Sequence, residues 1–177
     1  MVAYKTGANR RKLQHVRIGS TTAITGEDHL VLHDHIFIGH YNFIDASNGI
    51  DIGEGCQITN YVSILTHSSH HAIRLYGRAY IHIPAKEKVA YHRADVKIGA
   101  FTFIGPHVVI MPGSRIGKGC IVSAFSYVDG EYPDFSLIGG QPAKVIKSLQ
   151  DTDAALLKQY PELEKHYHAW AKDKEGV

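Results

Sequence analysis

Three histidines stand close together in the stretch SILTHSSHHAIRLYGRAY: His67, His70 and His71. Imidazole titrates near neutral pH, so a histidine can take a proton as a general base or, when neutral, bind a metal ion. Arginines and tyrosines in the same stretch offer cationic and aromatic surfaces to a ligand. This density of reactive and binding groups indicates a functional site, which the rest of the chain must position.

An apolar residue returns every six positions on both sides of this stretch. The repeat, with two phase shifts of two residues, comprises Ile18, Ile24, Leu30, Ile36, Ile38, Ile44, Ile50, Ile52, Ile58, Ile64, Ile98, Ile104, Ile110, Ile116, Val122 and Val128. A period of six fits neither an α-helix nor a long amphipathic strand. It is typical of short strand-and-turn units, three of which close one triangular coil of about 18 residues. The sequence therefore predicts stacked coils around an aliphatic column.

The two cysteines, Cys56 and Cys120, occupy the same position in their hexads. The other residues at this position are small, so we expect both thiols to be buried fillers and neither to be a nucleophile or metal ligand. Two cysteines without a secretory leader favour a reducing compartment, and we expect a cytoplasmic protein.

Composition narrows the class of function. The chain has 177 residues, 44% of them hydrophobic, and a net charge of +2. That length suits a single domain with a substantial core. The charge gives no electrostatic reason to expect nucleic acid as a partner, and no apolar run is long enough for membrane insertion.

The last part of the chain has a different pattern. From about Asp151 the hexads stop and the sequence is typical of helices, with Pro161 at a kink or a second start. We expect its apolar residues to pack on a coil or a neighbouring subunit, and the helix to cover an open end of the stack. The predicted divisions are an N-terminal segment, 1–17; the coil domain, 18–147, with an extruded loop, 66–97; and a helical tail, 148–177.

The hexads, the segment THSSHH and the closing IGGQPAKVIK (138–147) together resemble the hexapeptide-repeat acyltransferases. Within that family they are most similar to the galactoside and maltose O-acetyltransferases and to those of surface-polysaccharide synthesis. The resemblance covers roughly 18–147. It implies an all-β fold, a left-handed parallel β-helix, and a homotrimer. It also implies acetyl-CoA as co-substrate in a groove between neighbouring β-helices, a carbohydrate acceptor, and no required metal.

The resemblance assigns His67 as the general base at the start of the extruded loop. Acetyl transfer from a thioester to a hydroxyl needs the hydroxyl proton removed during attack, which suits imidazole. Asp45 aligns with a substrate-contacting Asn of the galactoside enzyme. It could orient the imidazole as the aspartate of a catalytic triad does, bind a sugar hydroxyl, or merely satisfy its own turn.

The cofactor side maps onto the last coils. Ala124 matches a family alanine beside the pantetheine arm, and Lys144 and Lys147 match cations near the nucleotide phosphates. The family residue whose N–H helps hold the thioester oxygen is Pro106 here, which has no N–H, so the expected donor is either another amide, with Gly105 as the candidate, or water. A basic Thr-Lys pair of the family is replaced by Asp129-Gly130.

The long loop is the expected acceptor side. Carbohydrates are bound by aromatic faces and planar hydrogen-bonding groups. The residues that we assign to acceptor binding, with Asp45, are His70, Arg74, Tyr76 and Arg78. Packing of the loop within a trimer would explain the same composition, and the sequence does not separate the two interpretations.

Three alternatives stay open. N-acylation of an amino or nucleotide sugar would use the same base. The γ-class carbonic anhydrases share the fold and hold a metal with three histidines, and this chain offers His35 and His40 besides the loop cluster. A non-catalytic β-helix interaction domain would make His67 incidental.

Overall fold

The computed structural model describes residues 13–172, so most of the predicted N-terminal segment lies outside the described residues. Within that range the chain forms a three-sided prism of short parallel strands. The strands are β1 Arg17–Ile18, β2 Ala23–Thr25, β3 Leu30–Leu32, β4 Phe37–Ile38, β5 Phe43–Asp45, β6 Ile50–Ile52, β7 Gln57–Ile58, β8 Ser63–Ile64, β9 His67–Ser68, β10 His92–Arg93, β11 Val96–Ile98, β12 Phe103–Ile104, β13 Val109–Ile110, β14 Arg115–Ile116, β15 Ile121–Val122, β16 Tyr127–Val128, β17 Glu131–Tyr132, β18 Ser136–Gly140 and β19 Ala143–Ser148.

Successive strands visit three faces in turn. The first face has the order β1-β4-β7-β12-β15-β18-β19, the second β16-β13-β8-β5-β2, and the third β17-β14-β11-β6-β3. Parallel pairing without register shift stacks like positions of the hexad: Ile104 lies between Ile58 and Val122 on the first face. This arrangement confirms the predicted fold, a left-handed parallel β-helix.

The core is the aliphatic column that the hexads predict. Every residue of the repeat is buried except Ile24, which is only partly buried. Ile24 lies on β2, an edge strand of the second face that pairs only with β5, so no further coil covers it on that side. Cys56 and Cys120 are both buried in this core, as predicted.

Neighbouring coils approach each other closely at the corners of the prism. A Cβ atom added to Gly99 would lie 2.4 Å from the backbone N of Lys118 in the next coil. No side chain fits at that distance, which explains why the hexads carry glycine just after the apolar residue.

The chain leaves the prism after β8 and returns at β11. The excursion opens and closes with an antiparallel pair, in which His67 of β9 lies opposite Arg93 of β10 and Ser68 lies opposite His92. Between these strands come α1 His70–Tyr76 and the 3₁₀ helices Gly77–His82 and Ala85–Glu87. A further 3₁₀ helix, Glu27–His29, lies between β2 and β3.

The tail forms α2 Gln150–Gln159, the 3₁₀ helix Pro161–Leu163 and α3 Glu164–Ala171. The expectation that it covers an open end of the stack is wrong. Trp170 stacks on Phe101 and Phe135, with ring centroids 4.6 and 5.7 Å away, so the tail covers the corner between the third and first faces. The end of the first face is covered instead by β19, which folds back antiparallel onto β18.

Among residues 13–172, no helix has both the length and the apolar character needed to cross a membrane.

Candidate active site

The fold brings Asp45 and His67 together at the corner between the second and third faces. Asp45 is the last residue of β5, and β8 stacks in register on β5 one coil further along. Two residues separate the end of β8 from His67, which begins β9. The start of the extruded loop is therefore fixed by the prism, while the rest of the loop extends away from it.

The imidazole of His67 contacts the carboxylate of Asp45 directly. The distance from His67 Nδ1 to Asp45 Oδ2 is 2.5 Å, and the Asp45 side chain is 1% exposed against 41% for His67. A buried carboxylate at Nδ1 favours the tautomer with hydrogen on Nδ1, which leaves Nε2 as a lone-pair base. Because 41% of the His67 side chain is exposed, a ligand can reach the ring.

The two oxygens of Asp45 have different partners. Oδ1 accepts hydrogen bonds from Ser47 N, Ser47 Oγ and Thr25 Oγ1, at 3.2, 2.5 and 3.1 Å. Oδ2 accepts from Thr66 N at 3.3 Å and faces His67. The contacts that the turn role and the orienting role require are therefore both present. Direct binding of a sugar hydroxyl by Asp45 is not supported, since the carboxylate is buried and fully engaged.

These contacts keep Asp45 ionised. Burial alone would raise the pKa of Asp45, but the hydrogen bonds from Ser47, the nearby His67 and the amide of Thr66 outweigh it and lower the pKa below the usual value. An ionised carboxylate at Nδ1 stabilises the imidazolium that forms when Nε2 takes a proton.

Thr66 locks the base of the loop to the coil beneath it. It is fully buried, and its hydroxyl donates to the carbonyl oxygen of Asp45 at 2.8 Å. Asn48 N in turn donates to Thr66 Oγ1 at 3.0 Å, and Ala94 N donates to the Thr66 carbonyl at 3.1 Å. Departing and returning ends of the loop are thus held at one point beside the Asp45–His67 pair.

Two further residues lie beside His67 that sequence reasoning did not assign to the site: Tyr91, and Arg93, which is opposite His67 in the β9–β10 pair. Tyr91 stacks on the His67 ring with centroids 5.7 Å apart, and the guanidinium of Arg93 lies 4.2 Å from the Tyr91 ring centroid. Burial, with smaller effects from Tyr80 and Asp45, raises the pKa of Tyr91, so it stays a neutral phenol. No sequence signal identifies this packing because it depends on the register of the returning strand.

The predicted acceptor residues lie in the extruded loop. His70, Arg74 and Arg78 are exposed, whereas Tyr76 is half-buried and its hydroxyl accepts a hydrogen bond from Val89 N at 3.0 Å. Tyr76 therefore has a role inside the loop. His70 Nδ1 lies 2.7 Å from Ser68 Oγ.

The predicted cofactor residues lie at a different corner. Gly105 and Ala124 are in the turns between the first and second faces, and Lys144 and Lys147 are exposed on β19 of the first face. A whole face separates them from the corner that holds His67. One chain therefore does not bring the predicted base and the predicted cofactor groove together.

The Gly105 amide cannot serve as the thioester donor. Its N–H donates to the carbonyl of Val122 at 2.8 Å as part of the stacking of coils. Glycine is needed there for a different reason, because an added Cβ would lie 2.7 Å from Ala124 N. Ala124 itself is exposed, and within residues 13–172 no hydrogen bond occupies its N–H.

The histidines of the carbonic anhydrase alternative do not converge in one chain. His35 lies in the turn between the third and first faces, where it stacks on His15, and His40 lies between the first and second faces. The hydroxyl of Thr21 is 3.0 Å from His40 Nδ1. Neither residue shares a corner with His67.

Residues 95–130 match the family model described as bacterial transferase hexapeptide (six repeats). The match lies within the coils from β11 to β16, so this part of the chain carries hexapeptide repeats of the bacterial transferase type.

Curated relatives carry acetyltransferase names. A probable acetyltransferase of Mycobacterium tuberculosis is 37% identical over 83 residues, which are 47% of this chain and 27% of that protein. An Escherichia coli protein named as a putative lipopolysaccharide biosynthesis O-acetyl transferase is 44% identical over 52 residues, 29% of this chain and 26% of that protein. The chain thus matches about a quarter of the length of these two relatives.

Solved structures share the fold. A hexapeptide-repeat acetyltransferase of Vibrio cholerae, solved with acetyl-CoA, aligns with a TM-score of 0.66 at 24% identity, over 76% of this chain and 68% of that one. An N-acyltransferase of Bacillus cereus, solved with dTDP and coenzyme A, aligns with a TM-score of 0.62 at 20% identity, over 82% of this chain and 87% of that one.

Proposed function

We propose that the protein is an acetyl-CoA-dependent O-acetyltransferase that acts on a hydroxyl of a sugar or polysaccharide precursor. The observation that carries the proposal is the buried carboxylate of Asp45 against Nδ1 of the half-exposed His67. The hydroxyls of Ser47 and Thr66 both donate hydrogen bonds to Asp45, so neither is placed as a nucleophile, and the pair is suited to act as a general base. Such a base suits a reaction whose electrophile, a thioester, is already activated.

In this mechanism Nε2 of His67 takes the acceptor hydroxyl proton as the oxygen attacks the thioester carbonyl. Asp45 stabilises the resulting imidazolium from the buried side. As the carbon–sulfur bond breaks, His67 returns the proton to the departing thiolate, so the base is regenerated. Tyr91 keeps the ring in place by stacking. No covalent intermediate on the protein is required.

The cofactor supplies the activated acetyl group, and the chain offers a surface for it at the corner between the first and second faces. No hydrogen bond from the part of the chain that the structure describes occupies the N–H of the exposed Ala124, which replaces Gly105 as our candidate donor to the thioester oxygen. Lys144 is exposed on β19 of the first face, and its ammonium group can pair with a phosphate as a point charge. The amine of Lys147 lies 3.1 Å from Thr152 Oγ1 and must leave it to bind phosphate.

The homotrimer that the resemblance implies is part of our proposal, and the separation of the two corners supports a site shared between subunits. If each site combines His67 of one subunit with the Ala124 corner of the next, both halves come within reach. Co-expression tests this arrangement: His67→Ala and Ala124→Trp variants, each inactive alone, should regain a fraction of wild-type turnover as mixed oligomers. Activity that does not return in mixed oligomers would place both halves of the site in one subunit.

The acceptor is tested with a panel of sugars, glycans and amino sugars, with free thiol release as the readout. The E. coli relative favours a hydroxyl, and the B. cereus structure makes amino nucleotide sugars the necessary comparison. Turnover on hydroxyl acceptors alone supports O-acetylation. Turnover confined to the amino sugars would change the assignment to N-acylation with the same base.

A further inference from the structure

We propose that His70, His71 and His92 bind a divalent transition-metal ion of the zinc class, and that the ion clamps the extruded loop. Each residue offers one ring nitrogen, and these three atoms all lie within 4.8 Å of one another. The ring centroids are 4.0 Å apart for His70 and His71 and 5.2 Å apart for His70 and His92. The proposal is independent of the acyltransferase reaction.

The observed separations are close to what coordination requires. With Zn–N bonds of about 2.0–2.1 Å, two nitrogens on a tetrahedral ion lie about 3.4 Å apart. All three side chains are exposed, so small rotations about their side-chain torsions can bring the nitrogens to that distance. The rings of His70 and His92 are stacked and must turn toward a common centre when the ion binds.

The chemical groups around and within the three histidines favour metal binding. Ser68 Oγ lies 2.7 Å from Nδ1 of His70, so this nitrogen is occupied and Nε2 is left for the metal. A hydrogen bond to the second ring nitrogen is the usual support of a metal-binding histidine. Three imidazoles without a carboxylate suit zinc better than calcium or magnesium.

The site is separate from the proposed base. Ser68 and His92 are paired across β9 and β10, as are His67 and Arg93. Successive residues of a strand point to opposite faces, so His92 and the Asp45–His67 pair lie on opposite sides of the hairpin. The ion would tie the first residues of α1 to the returning strand and so fix the loop against the prism.

Zinc titration of the EDTA-stripped protein by calorimetry tests the site. We expect one tight equivalent per chain, weakened at least tenfold in His71→Ala and His92→Ala. His82→Ala, an exposed histidine of the same loop, should bind as wild type. His35→Ala is the second control, since His15, Asp34 and His35 form another cluster whose ligand atoms lie within 4.8 Å.

Three results would each overturn the proposal: zinc binding that is unchanged in His92→Ala, a wild type that binds no tight equivalent of zinc, or a loss of zinc binding in His35→Ala. Limited trypsin digestion supplies the second measurement. Zinc should slow cleavage within residues 66–97 severalfold in the wild type and leave His92→Ala unaffected. Equal cleavage rates of the wild type with and without zinc would refute the clamp.

Discussion

Replacement of Asp45 by asparagine tests how the site controls its base. The three donors at Oδ1, two from Ser47 and one from Thr25, hold the amide oxygen in place. The new NH₂ group then faces His67 Nδ1, where the carboxylate oxygen was 2.5 Å away. It donates to Nδ1, so the ring proton moves to Nε2 and the lone pair needed for catalysis is lost.

The expected cost is the whole contribution of the general base. That contribution is about 10²- to 10⁴-fold in kcat, or about 3 to 5 kcal/mol in transition-state free energy. Stability should fall less, by about 1–3 kcal/mol, since Thr66 N–H loses an acceptor. Free thiol release with the best acceptor gives kcat, and urea unfolding gives stability.

Long-range ¹H–¹⁵N correlation spectra add a readout that needs no acceptor. They should show His67 protonated on Nδ1 in the wild type and on Nε2 in Asp45→Asn. The matched control is Asp51→Asn, which alters an exposed carboxylate 3.1 Å from Nε2 of His33 and should leave turnover unchanged. Wild-type kcat in Asp45→Asn, or an unchanged His67 tautomer, would refute the reasoning.

Three further predictions concern the scaffold and the pH dependence. Cys120 is 1% exposed, and burial raises the pKa of its thiol to about 11. A thiol reagent at pH 7.5 should therefore modify Cys120 only when the protein unfolds. Rapid modification of the folded protein would contradict this burial. Ile58→Ala, in the core column, should lower the free energy of unfolding by about 2–5 kcal/mol. The control is Ile121→Ala, at a residue that is 39% exposed, and its free energy of unfolding should fall clearly less. Equal losses of stability in the two variants would argue against the column as the main source of stability. The pKa of Asp45 is lowered in the folded state from its ordinary value of 3.8, so ionised Asp45 stabilises the fold above that pH and the stabilisation is lost as pH falls below it. The stability difference between wild type and Asp45→Asn should therefore shrink as urea unfolding is moved from pH 7 to pH 2.5, and a constant difference would contradict the lowered pKa.

The hexads predict most of the fold because each one is a local pattern with a single structural solution. A buried aliphatic residue such as Ile104, with glycine directly after it, specifies both the strand and the close turn. The tail shows the limit of this reasoning. Its helical composition is readable, but its position depends on Trp170 meeting Phe101 and Phe135, which are far away in sequence.

The candidate site likewise has one part that the sequence predicts and one part that it does not. His67 stands out because it interrupts a repeat, and Asp45 because it aligns with a substrate-contacting Asn of the galactoside enzyme. Tyr91 and Arg93 become neighbours of His67 only through the antiparallel register of the loop, which no periodicity reveals. The expected use of Gly105 failed because sequence shows that an N–H exists, but not that the next coil already accepts it.

The most direct test of the account is acetyl-CoA consumption, read as free thiol, for the wild type beside His67→Ala and the control His82→Ala. With an acceptor that supports turnover, His67→Ala should lose about 10²-fold or more while it still binds coenzyme A in calorimetry, and His82→Ala should match the wild type. Wild-type turnover in His67→Ala would contradict the central claim that this imidazole is the base.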